Sequence, residues 1–198
     1  MNDKLPNFGP IAVLLDRDGT INRNYPKEPV YRVELFELLP RAAQAIRILN
    51  DSGVQVLVVT NQGGINHQDR DFNWETYKKI ENLMNSAIFQ EAGATVDDIF
   101  ICEHADYEDC ECRKPKTGML KKAHEKYGFI PEESYIVGDG SVDIIAGKNF
   151  GLRTILVESG WDNTVYEQLS ARQALPDHVF PDLYDAARFI QNRLSGRK

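Results

Sequence analysis

Residues 11–20 read Ile-Ala-Val-Leu-Leu-Asp-Arg-Asp-Gly-Thr. Five consecutive apolar residues leave no polar face, the pattern of a parallel strand covered on both sides. The run ends at two acids, Asp16 and Asp18, and Gly19 then permits a sharp turn. Residues two apart in an extended segment point the same way, so the two carboxylates share a side. They repel each other unless a cation or a proton lies between them. A hard cation such as Mg²⁺ takes oxygen ligands and usually contacts substrate phosphate as well. The competing reading is a calcium-type loop or a solvated turn. The EF-hand pattern, however, needs a third acid before the glycine and a later glutamate, and the sequence has neither.

Outward from this stretch, short β-rich runs alternate with helical patterns. Helices are predicted over residues 40–50, 74–90, 117–127, 142–149 and 182–194, with Gly128 as a C-cap. Strands are predicted over 54–59, 99–102, 135–137 and 154–157. Strand–helix alternation implies an α/β fold, a Rossmann-like doubly wound parallel sheet with helices on both faces. Residues 21–37 have mixed composition and are expected to form a flap or hairpin. Without a repeat, a low-complexity tract or a linker, residues 1–198 read as a single domain. Ligands in such folds sit beyond the carboxyl ends of the strands, so the functional candidates should follow the strands directly.

Three further strand ends carry such candidates. Thr60-Asn61-Gln62-Gly63-Gly64 offers a hydroxyl and backbone N–H groups to an anion, although it also reads as a plain turn. Arg113-Lys114-Pro115 places a point charge suited to phosphate beside the planar fork of Arg113, or else forms a solvated basic loop. Asp139 lies at a strand tip, and Asp143 follows one helical turn later. Both can face one cation, or simply favour a helix N-terminus.

The net charge of −7 makes a nucleic-acid partner an unfavourable reading. It also requires local cations to capture an anionic substrate, for which Arg17, Arg23, Lys27, Arg113, Lys114 and Lys116 are the candidates. No apolar run is long enough for a bilayer and the first ten residues lack the apolar stretch of a signal peptide, so a cytoplasmic location without membrane partners is expected. All three cysteines lie in one window: Cys102-x-His104 followed by Cys110-x-Cys112. Three thiolates and an imidazole make a complete tetrahedral zinc set with no position left for water, which points to a structural Zn²⁺. The other reading is three buried thiols beside a surface histidine. His67, His124 and His178 fall in a polar loop, on a helix and in a late loop, respectively.

Four motifs now stand in order at strand ends: LLDRDGT, VVTNQ, CRKPKTGML and IVGDGSVD. Together they resemble the haloacid dehalogenase (HAD) superfamily of phosphatases, over about residues 11–160. Within it the chain looks most like the D-glycero-D-manno-heptose 1,7-bisphosphate phosphatases, and next like the histidinol-phosphate phosphatases. Both groups have a minimal cap and a zinc loop, here about residues 102–112. The resemblance implies Mg²⁺-dependent removal of the 7-phosphate from the heptose bisphosphate. It implies that Asp16 attacks phosphorus, that Asp18 serves as acid and then base, and that Thr60 and Lys114 hold phosphoryl oxygens. Asp16, the main-chain carbonyl of Asp18, and Asp139 would bind Mg²⁺, with Asp143 orienting them. Arg113, Asn61, Gln62 and Arg23 would face substrate. As an acid, Asp18 has to hold a proton, which the neighbouring Asp16 and apolar surroundings would favour. Gly140 stands where the heptose phosphatases usually carry Lys or Arg, which removes a substrate-facing cation; Lys148 and His67 are the candidates to replace it. The alternatives are a histidinol-phosphate or broad small-metabolite phosphatase and, from another class, a non-catalytic phosphate-binding domain. The expected partner is a small phosphorylated sugar, and oligomeric state is illegible, with a monomer the default.

Overall fold

Six parallel strands form one sheet in the order β3-β2-β1-β4-β5-β6. They are β1 Ala12–Leu15, β2 Gln55–Asn61, β3 Asp98–Cys102, β4 Tyr135–Gly138, β5 Arg153–Val157 and β6 His178–Phe180. The helices are α1 Ala42–Asp51, α2 Trp74–Ala92, α3 Gly118–Tyr127, α4 Ser141–Phe150, α5 Val165–Ala171 and α6 Leu183–Ser195. This computed structural model describes residues 9–25, 30–65, 72–160 and 164–196.

The apolar run of β1 is explained by its two faces. Val13 and Leu15 pack in one core with Ile46 of α1, Met84 and Ile88 of α2 and Ile190 of α6. Ala12 and Leu14 pack in a second core with Met119, Leu120 and Ala123 of α3 and Ala146 of α4. Each fully buried Val, Leu, Ile or Met among them contributes about 1.5–3 kcal/mol. The α/β, doubly wound expectation holds, since helices cover both faces. No helix among the described residues is long and apolar enough to cross a membrane.

Two elements were not anticipated. Helix α5 packs on α4 through Val165, Leu169, Ile144 and Ile145. Strand β6 pairs with β5, so His178, expected in a loop, lies opposite Ile155 in the sheet. The first helix starts at Ala42 rather than Pro40, because Arg41 takes a left-handed conformation (φ 64°). The Arg41 guanidinium reaches Asp182 at the N-cap of α6 (2.5 Å) and lies over the Tyr184 ring at 4.5 Å, which ties α1 to α6. Gly128 caps α3 in the left-handed region as expected. The predicted helical stripe of α2 buries Tyr77, Ile80, Met84 and Ile88, while Trp74 stays exposed.

Within the expected flap, Arg23 N–H donates to Glu37 O (2.8 Å) and Leu39 N–H to Ile21 O (3.0 Å), a short antiparallel pairing. Val30, next to Tyr31, Val33 and Leu35, then packs against Tyr77 and Ile80 of α2. Strand β1 lies between β2 and β4, and the chain adds β2 and β3 on one side before crossing to add β4, β5 and β6 on the other, so the order of strand addition reverses between β1 and β4. Open α/β sheets bind ligands at such a switch point, and Asp16 and Asp139 follow these two strands.

Candidate active site

Asp16 directly follows β1, Asp139 follows β4, and Asp143 lies in the first turn of α4. Carboxylate oxygens of all three fall within 4.8 Å of one another. Lys114 enters this group from the loop before α3. Its ammonium donates to Asp16 Oδ1 at 2.7 Å, to Asp143 Oδ1 at 2.5 Å and to the Val59 carbonyl at 2.7 Å, which uses all three donors. Burial disfavours the Lys114 charge, but Asp143 and then Asp16 outweigh it and hold the proton tightly. Burial pushes the Asp16 carboxyl up to about 7, against the pull of Lys114 and with Asp143 and Asp18 adding to the rise. Burial, then Asp16 and Asp143, push Asp139 up to about 8. One ammonium among three ionised carboxylates leaves a charge of −2, and all the donors are oxygens. That is the deficit and the chemistry a Mg²⁺ ion would satisfy. Asp143 also caps α4, accepting from Gly140 N–H at 3.1 Å, so capping and cation binding are not alternatives here.

Close packing fixes these acids. A β-carbon on Gly19 or Gly160 would overlap the Asp139 carboxyl, and one on Gly138 would meet Asp143. Gly19 also sits at φ 89°, where a side chain is strained. Ser159 Oγ donates to the Gly19 carbonyl at 2.7 Å and so closes the turn after β1 onto the end of β5.

The carboxyl of Asp18 lies outside this cluster, which leaves only its main-chain carbonyl for a shared cation. It lines a cavity of about 310 Å³ with Gln62, Gly63, Tyr31, Phe72 and Arg113. The surroundings expected to be apolar are instead polar: Arg17, Asn22 and Gln62 all donate to Asp18. Thr60 is the penultimate residue of β2, buried, and accepts from Gln62 Nε2 at 2.9 Å. The Asn61 side chain clamps the backbone of Lys114, accepting from its N–H (3.0 Å) and donating to its carbonyl (3.1 Å). The amides expected to meet substrate at Asn61 and Gln62 are therefore engaged within the chain, although both residues line cavities.

Cys102, His104, Cys110 and Cys112 converge. Their sulfur–sulfur distances are 3.1–3.5 Å, and His104 Nδ1 lies 3.2 Å from Cys112 Sγ and 3.7 Å from Cys102 Sγ. A tetrahedral zinc with bonds of about 2.0–2.3 Å has ligand edges of about 3.5–3.8 Å, so the set fits with small expansion. All three thiols are free of disulfides. Arg113 follows this loop, donates to the His104 carbonyl at 3.2 Å and pairs with Asp106. It lines both the 310 Å³ cavity and an adjacent one of about 420 Å³, walled also by Asn61, Lys114 and Lys116.

The cations expected to supply a local field are mostly committed. Arg23 is exposed and paired with Glu37 at 2.9 Å, Lys116 pairs with Asp109 at 2.6 Å, and Lys148 pairs with Asp177 at 2.9 Å on the last turn of α4. Lys148, a candidate to replace a cation at Gly140, is thus engaged by Asp177. Lys27 and His67 lie outside the described residues. Arg17 as an internal partner of Asp18, and Gly160 and Ser159 as walls of the site, are not legible in the sequence. The segment ILVESG carried no chemical signal of its own.

The chain is similar to known proteins. A family model described as HAD-hydrolase-like matches residues 111–186. The D-glycero-beta-D-manno-heptose-1,7-bisphosphate 7-phosphatase of Haemophilus ducreyi is 33% identical over 160 residues, covering 77% of this chain and 86% of that protein. The D-glycero-D-manno-heptose-1,7-bisphosphate 7-phosphatase of Thermosynechococcus vestitus is 32% identical over 197 residues, covering 94% and 98%. Among solved structures, a D,D-heptose 1,7-bisphosphate phosphatase from B. bronchiseptica, complexed with magnesium and phosphate, superimposes with a TM-score of 0.81 at 29% identity, covering 92% of this chain and 99% of that one.

Proposed function

The chain belongs to the heptose-1,7-bisphosphate 7-phosphatase family of HAD-like hydrolases, and from that premise we propose that it removes the 7-phosphate of D-glycero-D-manno-heptose 1,7-bisphosphate through an aspartyl-phosphate on Asp16. The observation that carries this reading is the meeting of Asp16, Lys114, Asp139 and Asp143, brought from separate segments to the switch point of the sheet. Residues 1–198 act as one phosphatase unit in this reading, with the flap at about 21–37 and the zinc loop at about 102–112.

Phosphoryl transfer asks the protein mainly for positioning and for positive charge near the equatorial oxygens. Lys114 brings charge to the oxygen of Asp16 that it already contacts, and Thr60 offers a buried hydroxyl near the end of the neighbouring strand β2. Asp16 supplies the nucleophile, which divides hydrolysis into two easier displacements. Asp18, on the cavity side, gives a proton to the departing alcohol and later takes one from water. Asp16, Asp139 and the carbonyl of Asp18 would hold Mg²⁺, with Asp143 positioning Lys114. The ion would neutralise phosphoryl oxygens that these acids otherwise repel. The cysteine–histidine set would hold Zn²⁺ as a structural ion, and Arg113 would meet the far polar end of the substrate.

The test is a panel of heptose 1,7-bisphosphate, heptose 1-phosphate, fructose 1,6-bisphosphate and histidinol phosphate, with and without Mg²⁺. The heptose bisphosphate should give the highest kcat/KM, and Asp16→Asn should abolish release with every ester. A preference for histidinol phosphate would overturn the substrate. Phosphate release that survives Asp16→Asn, or no release from any ester, would overturn the mechanism.

A further inference from the structure

Arg17 stands between the two acids of the first motif and is buried to 1% exposure. Its guanidinium donates to Asp18 from Nε (3.1 Å to Oδ1) and from Nη2 (3.0 Å to Oδ1, 2.9 Å to Oδ2). The same Nη2 donates to Gln62 Oε1 at 3.1 Å. Arginine has no acceptor, so this contact fixes which way the Gln62 amide faces. Its Nε2 then donates to Asp18 Oδ2 at 2.8 Å and to Thr60 Oγ1 at 2.9 Å. Arg17, Gln62 and Asp18 therefore close a ring of hydrogen bonds. Asn22 adds a donor to Asp18 Oδ1 at 2.9 Å. Beneath the ring, the guanidinium carbon lies 5.7 Å from the centre of the buried Tyr77 ring on α2. A planar fork held by a carboxylate, an amide and an aromatic face has little freedom, and Asp18 inherits that restraint.

We propose that Arg17, acting with Gln62, is a positioning residue that sets the direction in which the Asp18 carboxyl meets the leaving oxygen. This rests on the reading of Asp18 as acid and base given above. In the first displacement an Asp16 oxygen bonds to phosphorus, the bond from phosphorus to the ester oxygen breaks, and the Asp18 proton passes to that oxygen. In the second, water bonds to phosphorus and gives a proton to Asp18 as the bond from phosphorus to Asp16 breaks. A departing sugar alkoxide depends on the donated proton, whereas a nitrophenolate leaves without it. Loosening Asp18 therefore penalises alkyl esters selectively, while a purely structural role for Arg17 would depress both ester classes alike.

The experiment compares kcat/KM for p-nitrophenyl phosphate and for the heptose bisphosphate, at saturating Mg²⁺, in wild type, Arg17→Lys, Arg17→Met and Asp18→Asn. Arg17→Lys keeps the charge and loses the fork. It should lower the sugar ester by about 10–100-fold, part of the 10²–10⁴ that general acid catalysis supplies, and the aryl ester by no more than about threefold. Arg17→Met should widen the gap further; if circular dichroism shows that it does not fold, Arg17→Lys decides. Equal losses on both esters, or no loss, in Arg17→Lys while Asp18→Asn remains selective would overturn the positioning role. Equal losses in Asp18→Asn itself would instead overturn the reading of Asp18, and the positioning role with it.

Discussion

A β-carbon on Gly160 would fall inside the carboxyl group of Asp139. The position has an ordinary backbone conformation, whereas Gly19, which crowds the same carboxyl, also needs φ 89°. Substitution at Gly160 therefore tests crowding free of backbone strain. Gly160→Ala should keep the fold at a cost of about 1–3 kcal/mol, typical of overpacking. It should push Asp139 aside and raise the Mg²⁺ concentration for half-maximal activity by about tenfold or more, equivalent to about 1.4 kcal/mol. A magnesium titration of phosphate release measures this, and an unchanged requirement would detach Gly160 from the site. Residues of this kind are illegible in a sequence, because their contribution is the absence of atoms opposite a group far away in the chain. Asp16, Asp18 and Asp139 were legible because charged residues directly after apolar strands have few other uses; Lys114, in the loop before α3, was legible only as a cation between the cysteine cluster and the next helix. Arg17 was visible as a charge but not as a partner. Its neighbours Gln62 and Tyr77 come from other elements, and only the fold brings them under Asp18.

At the scale of elements, the cysteine–histidine loop leads into two cations that the structure treats differently. The backbone of Lys114 is held by Asn61 at the end of β2, and its ammonium by Asp16, Asp143 and the Val59 carbonyl. None of these anchors belongs to the cysteine–histidine set. Arg113 hangs on the His104 carbonyl and on Asp106, both inside the loop. Removing zinc should therefore release Arg113 and spare Lys114. Loss of one charge-assisted contact, about 1.5–3 kcal/mol, should raise KM for the bisphosphate by about 10–100-fold and leave kcat within a few-fold. Steady-state kinetics on protein stripped of zinc and then resupplied with Mg²⁺ would show it. A fall in kcat at constant KM would place Lys114 under the loop's control instead, and no change in either would remove zinc from the site's geometry. This loop and the long elements around it are legible in the sequence. Helix α5 and strand β6 are not, for physical reasons. Strand β6 is three residues long, and its central Val179 is exposed at the sheet edge. Helix α5 buries only Val165 and Leu169, too few to display a period.

Across the whole molecule the net charge is −7, and with Asp16, Asp139 and Asp143 ionised beside Lys114 a charge of −2 would fall at the switch point. There Asp16 is pushed to about 7 and Asp139 to about 8 from an ordinary 3.8, burial being the largest cause for both. Without Mg²⁺ these two carboxyls therefore hold more protons in the folded than in the unfolded chain between about pH 4 and pH 8. Linkage fixes the sign: stability falls as pH rises wherever the native state holds the extra protons. Below about pH 4 both states are protonated and the penalty is absent; above about pH 8 it is complete. Mg²⁺ selects the ionised carboxylates, so its stabilising effect should grow over the same window. Protein dialysed free of Mg²⁺, without a chelator that would also strip zinc, should show a Tm that drops between pH 5 and pH 8. Added Mg²⁺ should raise Tm strongly at pH 8 and little at pH 5. Asp139→Asn should flatten the magnesium-free curve, because it removes one ionisation while other titrating groups stay in place. If wild type and Asp139→Asn fall with the same slope, and Mg²⁺ shifts both by an equal amount at every pH, the three carboxylates do not form the charge-deficient centre described above.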